Sequence, residues 1–337
     1  MISSKINIFQ NRVTYKPFYY PQAYQYFITQ TQAHWSHTEV PMISDIKDFR
    51  ETLTEDEKQV IIRILRLFTQ TEVTVGEYWT ANIAQWFPHP EIQQMALTFG
   101  AMEMIHVSAY NHLNETLGLP ESEYLEFLKE PSMIARQESL HSATIAARNG
   151  GKVEKLLALA VFSAFTEGVS LFSSFATLLN FSRRGVMKGV ADIVNYSIRD
   201  ESLHSEAGVW LFRTALAENP DLWSKETKQK VYQAARDAID IEDAYIDYVF
   251  KDVSIEGVTP GQLKAFTRHR ANVKLGDLGL KMNWKGLDKE EVRSLTRWFD
   301  VISAGRSTSD FFSRTVSEYS KNMIDFNKIN FEEDVYE

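Results

Sequence analysis

The sequence predicts an all-α protein in which several long helices pack together as a bundle. Its 337 residues include only 15 Gly and 9 Pro, and these helix-breaking residues cluster at a few sites such as "FPHPE" (87–91) and "RNGGK" (148–152). Between the clusters, apolar residues recur with helical periodicity over roughly 25–35 residues, and strand-like alternation is nearly absent. A helix of ~30 residues is ~45 Å long, and helices of this length usually form bundles.

The first long helix is predicted over residues 53–87, where Thr54 and Glu57 have the spacing of a capping box. Apolar residues at helical spacing predict the other long helices. These lie, in chain order, at 90–117, 121–148, 152–181, 184–217 and 222–251.

Three regions are expected along the chain. Residues 1–50 are less regular and are predicted to pack on the bundle as an N-terminal segment. Residues 51–318 form the helical domain. Residues 319–337 are predicted to be a flexible tail, because the acidic end "NMIDFNKINFEEDVYE" lacks a clear apolar face.

Composition excludes several classes of function. The chain carries 36 Lys and Arg against 45 Asp and Glu, a formal charge of −9, and no basic block predicts nucleic-acid binding. Cysteine is absent, so disulfides, thiolate metal sites and a cysteine nucleophile are excluded. The N-terminus has no long apolar signal sequence, and no run of 18 or more apolar residues predicts a membrane span. We therefore expect a cytoplasmic protein.

Three Glu-x-x-His pairs stand out among only eight histidines. They are Glu103 with His106, Glu138 with His141, and Glu201 with His204. In each pair the two side chains are one helical turn apart and leave the same face. A single such pair is weak evidence for a metal site, because a solvated Glu beside an ordinary His is the commoner explanation.

The segments upstream distinguish the pairs. Glu72 lies 31 residues before Glu103, and Glu167 lies 34 residues before Glu201. Both are single carboxylates in strongly apolar helical segments, where an uncompensated charge would cost several kcal/mol. A divalent cation would compensate them. Counting back ~31 residues from Glu138 reaches Val107, which is not an acid, and the flanks of Glu138 are more polar. We therefore assign Glu138 and His141 to structure.

This two-fold pattern predicts four helices with six inward ligands, the arrangement of ferritin-like dinuclear carboxylate proteins. Four carboxylates and two imidazoles favour iron or manganese in a pair. Two further residues lie close to these ligands in sequence. Tyr110 follows Glu103 by seven residues and is either a core tyrosine or a redox-active one. Asp200 precedes Glu201 and is either the outer partner of a metal-bound His or a partner of Arg199.

With these motifs in place, the sequence resembles the small, radical-generating subunit of class I ribonucleotide reductase over most of its length. The resemblance is carried by Trp35, Glu72, "EMIH" with Tyr110, "FTEG" with Glu167, and "RDESLH" with Asp200, Glu201 and His204. The segment "SDFFSRTVSEY" (309–319) adds a match near the end.

The resemblance implies a role for each matching residue. Two metal ions would be bound by Glu72, Glu103, His106, Glu167, Glu201 and His204. Tyr110 would occupy the radical-tyrosine position, with Leu171, Phe175 and Val194 as candidates for the apolar wall around it. Trp35 and Asp200, with His106, would form the inner part of an electron and proton path, and Tyr319 would relay to the partner. The chain would form a homodimer, dock on the large subunit through its tail, and supply the radical that starts reduction of ribonucleotides at a cysteine of that subunit.

One ligand departs from the common pattern of the family. The first ligand is most often Asp, but here it is Glu72, which resembles the subclasses that use manganese. The manganese–iron type usually replaces the tyrosine with Phe, whereas Tyr110 is present. The combination most resembles the dimanganese subclass, with a di-iron or manganese–iron centre as the alternatives.

Three other functions remain open. A ferritin-like oxidase acting on its own substrate would not need a conducting tail, against which Trp35, Asp200 and Tyr319 argue. A ferritin-like store would be about half this length. A metal-free helical interaction protein would leave Glu72 and Glu167 buried without a partner, and metal removal would not change its stability.

Overall fold

The computed structural model describes residues 6–287 and 290–304, and within these ranges the protein is helical and contains no β-strand. The predicted all-α fold is confirmed. The α-helices, in chain order, are α1 (Pro21–Gln32), α2 (Ile43–Lys47), α3 (Glu55–Glu77), α4 (Ala84–Trp86), α5 (Pro90–Leu117), α6 (Glu123–Glu126), α7 (Pro131–Asn149), α8 (Lys152–Leu159), α9 (Phe172–Ser182), α10 (Lys188–Glu218), α11 (Lys225–Val249), α12 (Pro260–Asp277) and α13 (Glu290–Ala304).

Several predicted helices differ in detail from the observed ones. The capping box at Thr54 and Glu57 is present at the start of α3, but the predicted helix 53–87 contains a π-helical segment, Tyr78–Ile83, before α4. The predicted helix 121–148 is divided, because Pro131 starts a new helix, α7. Helices α1, α12 and α13 were not predicted from the sequence. Helix α1 was missed because its aromatic and Gln-rich sequence has a weak apolar face.

Two packed pairs of helices form the centre of the bundle. Helix α3 packs on α5, and α10 packs on the π-helical segment Ala160–Ser170 that joins α8 to α9. Glycines allow both close approaches. A Cβ on Gly76 of α3 would lie 2.6 Å from the Met104 side chain of α5, and a Cβ on Gly208 of α10 would lie 1.9 Å from the Ser163 hydroxyl of the π segment. The backbones therefore approach closely enough for facing side chains to meet inside the bundle.

The Ala160–Ser170 π segment is stabilised by its own hydroxyl groups. Thr166 donates a hydrogen bond to the carbonyl of Val161, and Ser170 donates one to the carbonyl of Phe165. Each acceptor lies five residues earlier, which is the π-helical spacing, and π turns occur frequently at functional sites. Among the described residues, the run Lys152–Ser182 is the one helix long and apolar enough to cross a membrane. However, 89% of its most apolar window is buried inside the protein, so it is the core helix of the bundle.

The N-terminal residues that the structure describes are attached to the bundle at several positions. Helix α1 packs against α5 and α10, and Tyr20 donates a hydrogen bond of 2.8 Å to Glu218 at the end of α10. The fully buried Asp45 accepts hydrogen bonds from the amides of Gly189 and Val190, at 3.0 and 2.8 Å. A carboxylate at this position satisfies free N–H groups at the start of α10 and favours its dipole.

Candidate metal centre

Six side chains from four helical segments meet at the centre of the bundle. Helix α3 contributes Glu72, α5 contributes Glu103 and His106, the π segment contributes Glu167, and α10 contributes Glu201 and His204. All six are fully buried. The structure therefore brings together every residue that the sequence analysis selected as a metal ligand.

The six side chains form two overlapping groups. The His106 subsite consists of Glu72, Glu103, His106 and Glu201, and the His204 subsite consists of Glu103, Glu167, Glu201 and His204. Within each subsite, one donor atom per residue lies within 4.8 Å of the others. Opposite ligands of one ion are about 4.2 Å apart when each is bound at roughly 2.1 Å. The spacing of donor atoms in each subsite is therefore compatible with one bound ion, and Glu103 and Glu201 belong to both subsites.

The carboxylates of the centre lack the partners that buried charges need. Both oxygens of Glu72 and of Glu201, and one oxygen of Glu167, accept no hydrogen bond from the protein. Burial, followed by the negative charges of Glu201 and Glu103, raises the pKa of Glu72 well above its ordinary value. The same causes raise the pKa of Glu167. Unpaired buried carboxylates are costly, and bound cations would compensate them.

Each histidine of the centre turns one ring nitrogen toward the carboxylates. His106 Nε2 lies 3.2 Å from Asp200 Oδ2, and because a carboxylate only accepts, this nitrogen carries the hydrogen. The other ring nitrogen, Nδ1, lies 3.0 and 3.1 Å from oxygens of Glu103 and Glu201. Burial disfavours the charged ring, but the hydrogen bonds to Asp200, Glu103 and Glu201 raise the pKa of His106 well above its ordinary value. A metal ion bound at Nδ1 would replace this proton. The donor set therefore fits a pair of hard or borderline metal ions.

The remaining Glu-x-x-His pair is at the surface. Glu138 and His141 on α7 are both exposed and belong to neither subsite. Their position agrees with the structural role that the sequence analysis gave them.

Tyr110 is fully buried one turn beyond His106 on α5. Its hydroxyl donates a hydrogen bond of 2.8 Å to Ser197, and its ring centroid lies 4.5 Å from that of Phe68 and 6.4 Å from that of His106. Burial, followed by the charge of Glu72, raises the pKa of Tyr110 above its ordinary value, so the phenol retains its proton.

The apolar surroundings of Tyr110 include one residue that the sequence analysis missed. Leu171, Phe175 and Val194 are fully buried in the hydrophobic cluster that contains Tyr110. However, the aromatic ring nearest to the tyrosine is that of Phe68, which is tilted by 42° against it and in turn contacts Phe175 at 5.5 Å between centroids. Phe68 lies one turn before Glu72 on α3, and this spacing is the signal that could have identified it.

A hydrogen-bonded path leads outward from His106. Asp200 Oδ2 accepts hydrogen bonds from His106 Nε2 and from the indole Nε1 of Trp35, the latter at 2.7 Å. Trp35 is almost fully buried, and its ring centroid lies 5.9 Å from that of His106 and 5.0 Å from that of the partly exposed Tyr196. Arg199 also contacts Asp200, at 3.2 Å. Both roles considered for Asp200 are therefore compatible with the geometry.

Other residues of the centre were not found from the sequence. The indole of Trp79 donates a hydrogen bond of 2.6 Å to Glu167, and Gln30 of α1 contacts both Asp200 and His204. Trp79 lies two turns after Glu72 on the same helical face, which is a usable signal. No signal in the sequence identifies Gln30, because 170 residues separate it from Asp200. Tyr319 and the tail 319–337 lie outside the described residues.

Comparison with known protein families gives a match over most of the chain. The model of the family described as "Ribonucleotide reductase, small chain" matches residues 12–291. A probable ribonucleoside-diphosphate reductase small subunit of Invertebrate iridescent virus 3 is 33% identical over 334 residues, covering 95% of this chain and 87% of that protein. A ribonucleoside-diphosphate reductase subunit beta of Chlamydia pneumoniae is 27% identical, covering 90% of this chain and 88% of that protein.

Solved structures share the fold. The R2 subunit of ribonucleotide reductase from Clostridium botulinum has a TM-score of 0.79 at 19% identity, covering 88% of this chain and 94% of that one. The dimanganese(II)-NrdF of Streptococcus sanguinis has a TM-score of 0.74 at 21% identity, covering 86% of this chain and 99% of that one. At these identities the likeness establishes the helical fold alone.

Proposed function

Because the chain belongs to the ribonucleotide reductase small-chain family, we propose that its six buried ligands hold the two metal ions with which it generates the radical for ribonucleotide reduction. Small chains of this family bind a dinuclear metal centre, form dimers and act with a large subunit. The observation that carries the ligand assignment is the set of unpartnered carboxylate oxygens inside the bundle. When bound, the metal pair supplies a strong one-electron oxidant in a site closed to water.

The proposed roles of the protein residues follow from their contacts. Glu103 and Glu201, which belong to both subsites, would be shared by the two ions, whereas Glu72 and Glu167 would each bind in one subsite. Asp200 holds His106 by its outer nitrogen, which fixes the ring so that Nδ1 faces the metals. Trp79 performs a similar function for Glu167 by donating to one of its oxygens.

Radical transfer to the large subunit is proposed to start at Trp35. Its indole is joined to His106 through a single oxygen of Asp200, so an electron can pass from Trp35 to the centre while Asp200 stabilises the indole proton. Tyr319 and the tail 319–337 would continue the path and dock on the large subunit. Reduction is completed there, because a cysteine of that subunit loses one electron and one proton to start the reaction and this chain has no cysteine. We place this reaction in the cytoplasm.

We further propose that the metal pair is dimanganese. The support is in the sequence, where Glu occupies the first ligand position, at Glu72, and Tyr110 is retained. Tyr110 is buried and hydrogen-bonded to Ser197, an environment that would protect a radical and also suits a packed core residue. The alternatives are a di-iron centre with a tyrosyl radical at Tyr110 and a manganese–iron centre.

Electron paramagnetic resonance with metal quantification tests this proposal. Metal-free protein is loaded separately with manganese and with iron, oxidised, and assayed with the large subunit. A coupled dimanganese spectrum that supports turnover without a tyrosyl signal is the expected result. A tyrosyl signal that appears only with iron, and is lost together with activity in Tyr110→Phe, would overturn the manganese assignment and make Tyr110 the radical site.

A further inference from the structure

Gln30 is a fully buried, uncharged residue at the edge of the metal centre. Its amide Nε2 donates a hydrogen bond of 3.1 Å to Asp200 Oδ1, and its Oε1 lies 3.2 Å from His204 Nε2. Gln30 therefore joins the outer partner of one histidine to the other histidine. Through it, Trp35, Asp200 and both imidazoles belong to one hydrogen-bonded chain.

The hydrogens in this chain can be assigned from chemistry alone. The carboxylate of Asp200 only accepts hydrogen bonds, so the NH₂ group of Gln30 must face it. The carbonyl oxygen of Gln30 then faces His204 and also only accepts, so His204 Nε2 must carry a hydrogen. In the neutral ring this leaves a lone pair on His204 Nδ1, which lies 2.7 Å from an oxygen of Glu103 inside the centre. Gln30 thus selects the tautomer of His204 that binds metal.

The outer partners of the two histidines differ in charge. His106 donates to the carboxylate of Asp200, whereas His204 donates to the neutral amide of Gln30. An ionised acceptor makes a stronger hydrogen bond than a neutral one, and it increases the basicity of the metal-binding nitrogen across the ring. The other ligands do not offset the difference, because each subsite has three carboxylates and one imidazole.

From this geometry we propose that Gln30 is a positioning residue that fixes His204 for metal binding and makes the His204 subsite the weaker of the two. The His106 subsite then fills first, and the second ion enters the subsite held by the amide. This inference rests on the proposed ligand set.

Titration of metal-free protein with Mn²⁺ tests the inference. Free Mn²⁺ is measured by its electron paramagnetic resonance signal, which is lost on binding. The wild type is expected to bind two ions in two steps. Gln30→Met, which keeps the length of the side chain but removes both hydrogen bonds, weakens the second step by about 10–100-fold and leaves the first within about threefold.

Two further variants separate positioning from simple packing. Gln30→Glu retains an acceptor for His204 Nε2, so its second step is expected to stay within about threefold of the wild type or to become tighter. Gln25→Met, at an exposed position of the same helix α1, is the matched control and should titrate as the wild type. Far-ultraviolet circular dichroism of the metal-free variants verifies folding.

The outcomes distinguish this inference from the ligand assignment. A wild type that binds fewer than two ions overturns both. A wild type that binds two ions, with Gln30→Met either unchanged or equally weakened in both steps, overturns only the role of Gln30. The role of Gln30 is also overturned if Gln30→Glu weakens the second step as much as Gln30→Met does. In that case an oxygen that accepts a hydrogen bond from His204 Nε2 would have no effect on metal binding.

Discussion

Trp35 and His106 donate hydrogen bonds to the same oxygen of Asp200, at 2.7 and 3.2 Å. One carboxylate oxygen therefore joins the buried indole of Trp35 to a histidine in the centre of the bundle. Asp200 is fully enclosed and also accepts from Arg199 and Gln30 on its other oxygen, so its orientation is fixed from both sides.

The first prediction concerns this link. Trp35→Phe keeps an aromatic ring but removes the indole N–H, so we expect normal metal content and a normal oxidised centre. Turnover with the large subunit should fall by at least about 10–100-fold, the usual cost of losing a partner of this type. Metal analysis and a ribonucleotide reduction assay measure the two quantities. The partly buried Trp298→Phe is the control, and equal turnover in both variants would remove Trp35 from the path.

A second prediction compares two glutamates. Glu167→Ala should abolish metal loading, because it removes one of the four ligands of the His204 subsite. Glu138→Ala should load normally, since Glu138 is exposed on α7. Elemental analysis after loading and desalting measures the metal content. Equal metal content in the two variants would refute the ligand assignment.

Tyr319 provides the third prediction. Tyr319→Phe is expected to retain metal loading and the oxidised centre while losing turnover, because phenylalanine cannot be oxidised at the potentials available to a tyrosine relay. The oxidised centre is measured spectroscopically and turnover is measured with the large subunit present. Full turnover by Tyr319→Phe would exclude this residue from the relay.

Metal removal should lower the stability of the fold. The six ligands come from four helical segments, so bound ions join those segments, and a ligand present at a thousand times its Kd adds about 4 kcal/mol to the free energy of unfolding. Thermal unfolding of protein prepared without metal and of the same protein after metal loading measures this difference. Identical midpoints would favour the metal-free interaction protein that the sequence left open.

The stability of the fold should depend on pH through Glu242, a buried carboxylate outside the metal centre. Glu242 on α11 forms a buried ion pair with Arg136 and accepts a hydrogen bond from Ser173. Burial raises its pKa from 4.5 to about 7, although Arg136 opposes the shift. A raised pKa means that the folded state binds the proton more tightly than the unfolded state. The proton on Glu242 therefore adds to the free energy of unfolding. This contribution is complete below pH 4.5 and is lost as the pH rises through about 7.

The matching variant is Glu242→Gln, which cannot ionise. Between pH 4.5 and 7 the wild type should lose on the order of 3 kcal/mol of unfolding free energy relative to Glu242→Gln, from 1.36 kcal/mol per pKa unit. Above pH 7 the difference should stay constant. Urea unfolding at several pH values measures it, with Asp240→Asn, exposed on the same helix, as control. Parallel curves for wild type and Glu242→Gln would contradict the prediction.

The sequence predicted the parts of the centre that depend on local spacing. Glu103 with His106 and Glu201 with His204 lie one turn apart on single helices. Glu72 and Glu167 were recognisable because each is a lone acid in an apolar helix. The helical fold was predictable for the same reason, since periodicity is a local property of the chain.

Long-range contacts were not predictable in this way. Gln30 reaches His204 across 174 residues, and nothing around it distinguishes it from the other glutamines of α1. The Ala160–Ser170 π segment was predicted as part of an ordinary α-helix. Its residues are apolar on nearly all faces, so the sequence shows no periodicity that would distinguish a π-helix from an α-helix. Two helices of the C-terminal part, α12 and α13, were not predicted because charged residues interrupt their apolar pattern.

The complete burial of the six ligands also has a kinetic consequence. A chelator in solution cannot touch an ion enclosed by α3, α5, α10 and the π segment, so loss of an ion must wait until one of these helices moves away. The rate of exchange is then set by how often the bundle opens, and this rate can be slow even for an ion that binds modestly. Which metal the protein carries would depend on which ion was present when the helices closed, as well as on which one binds best.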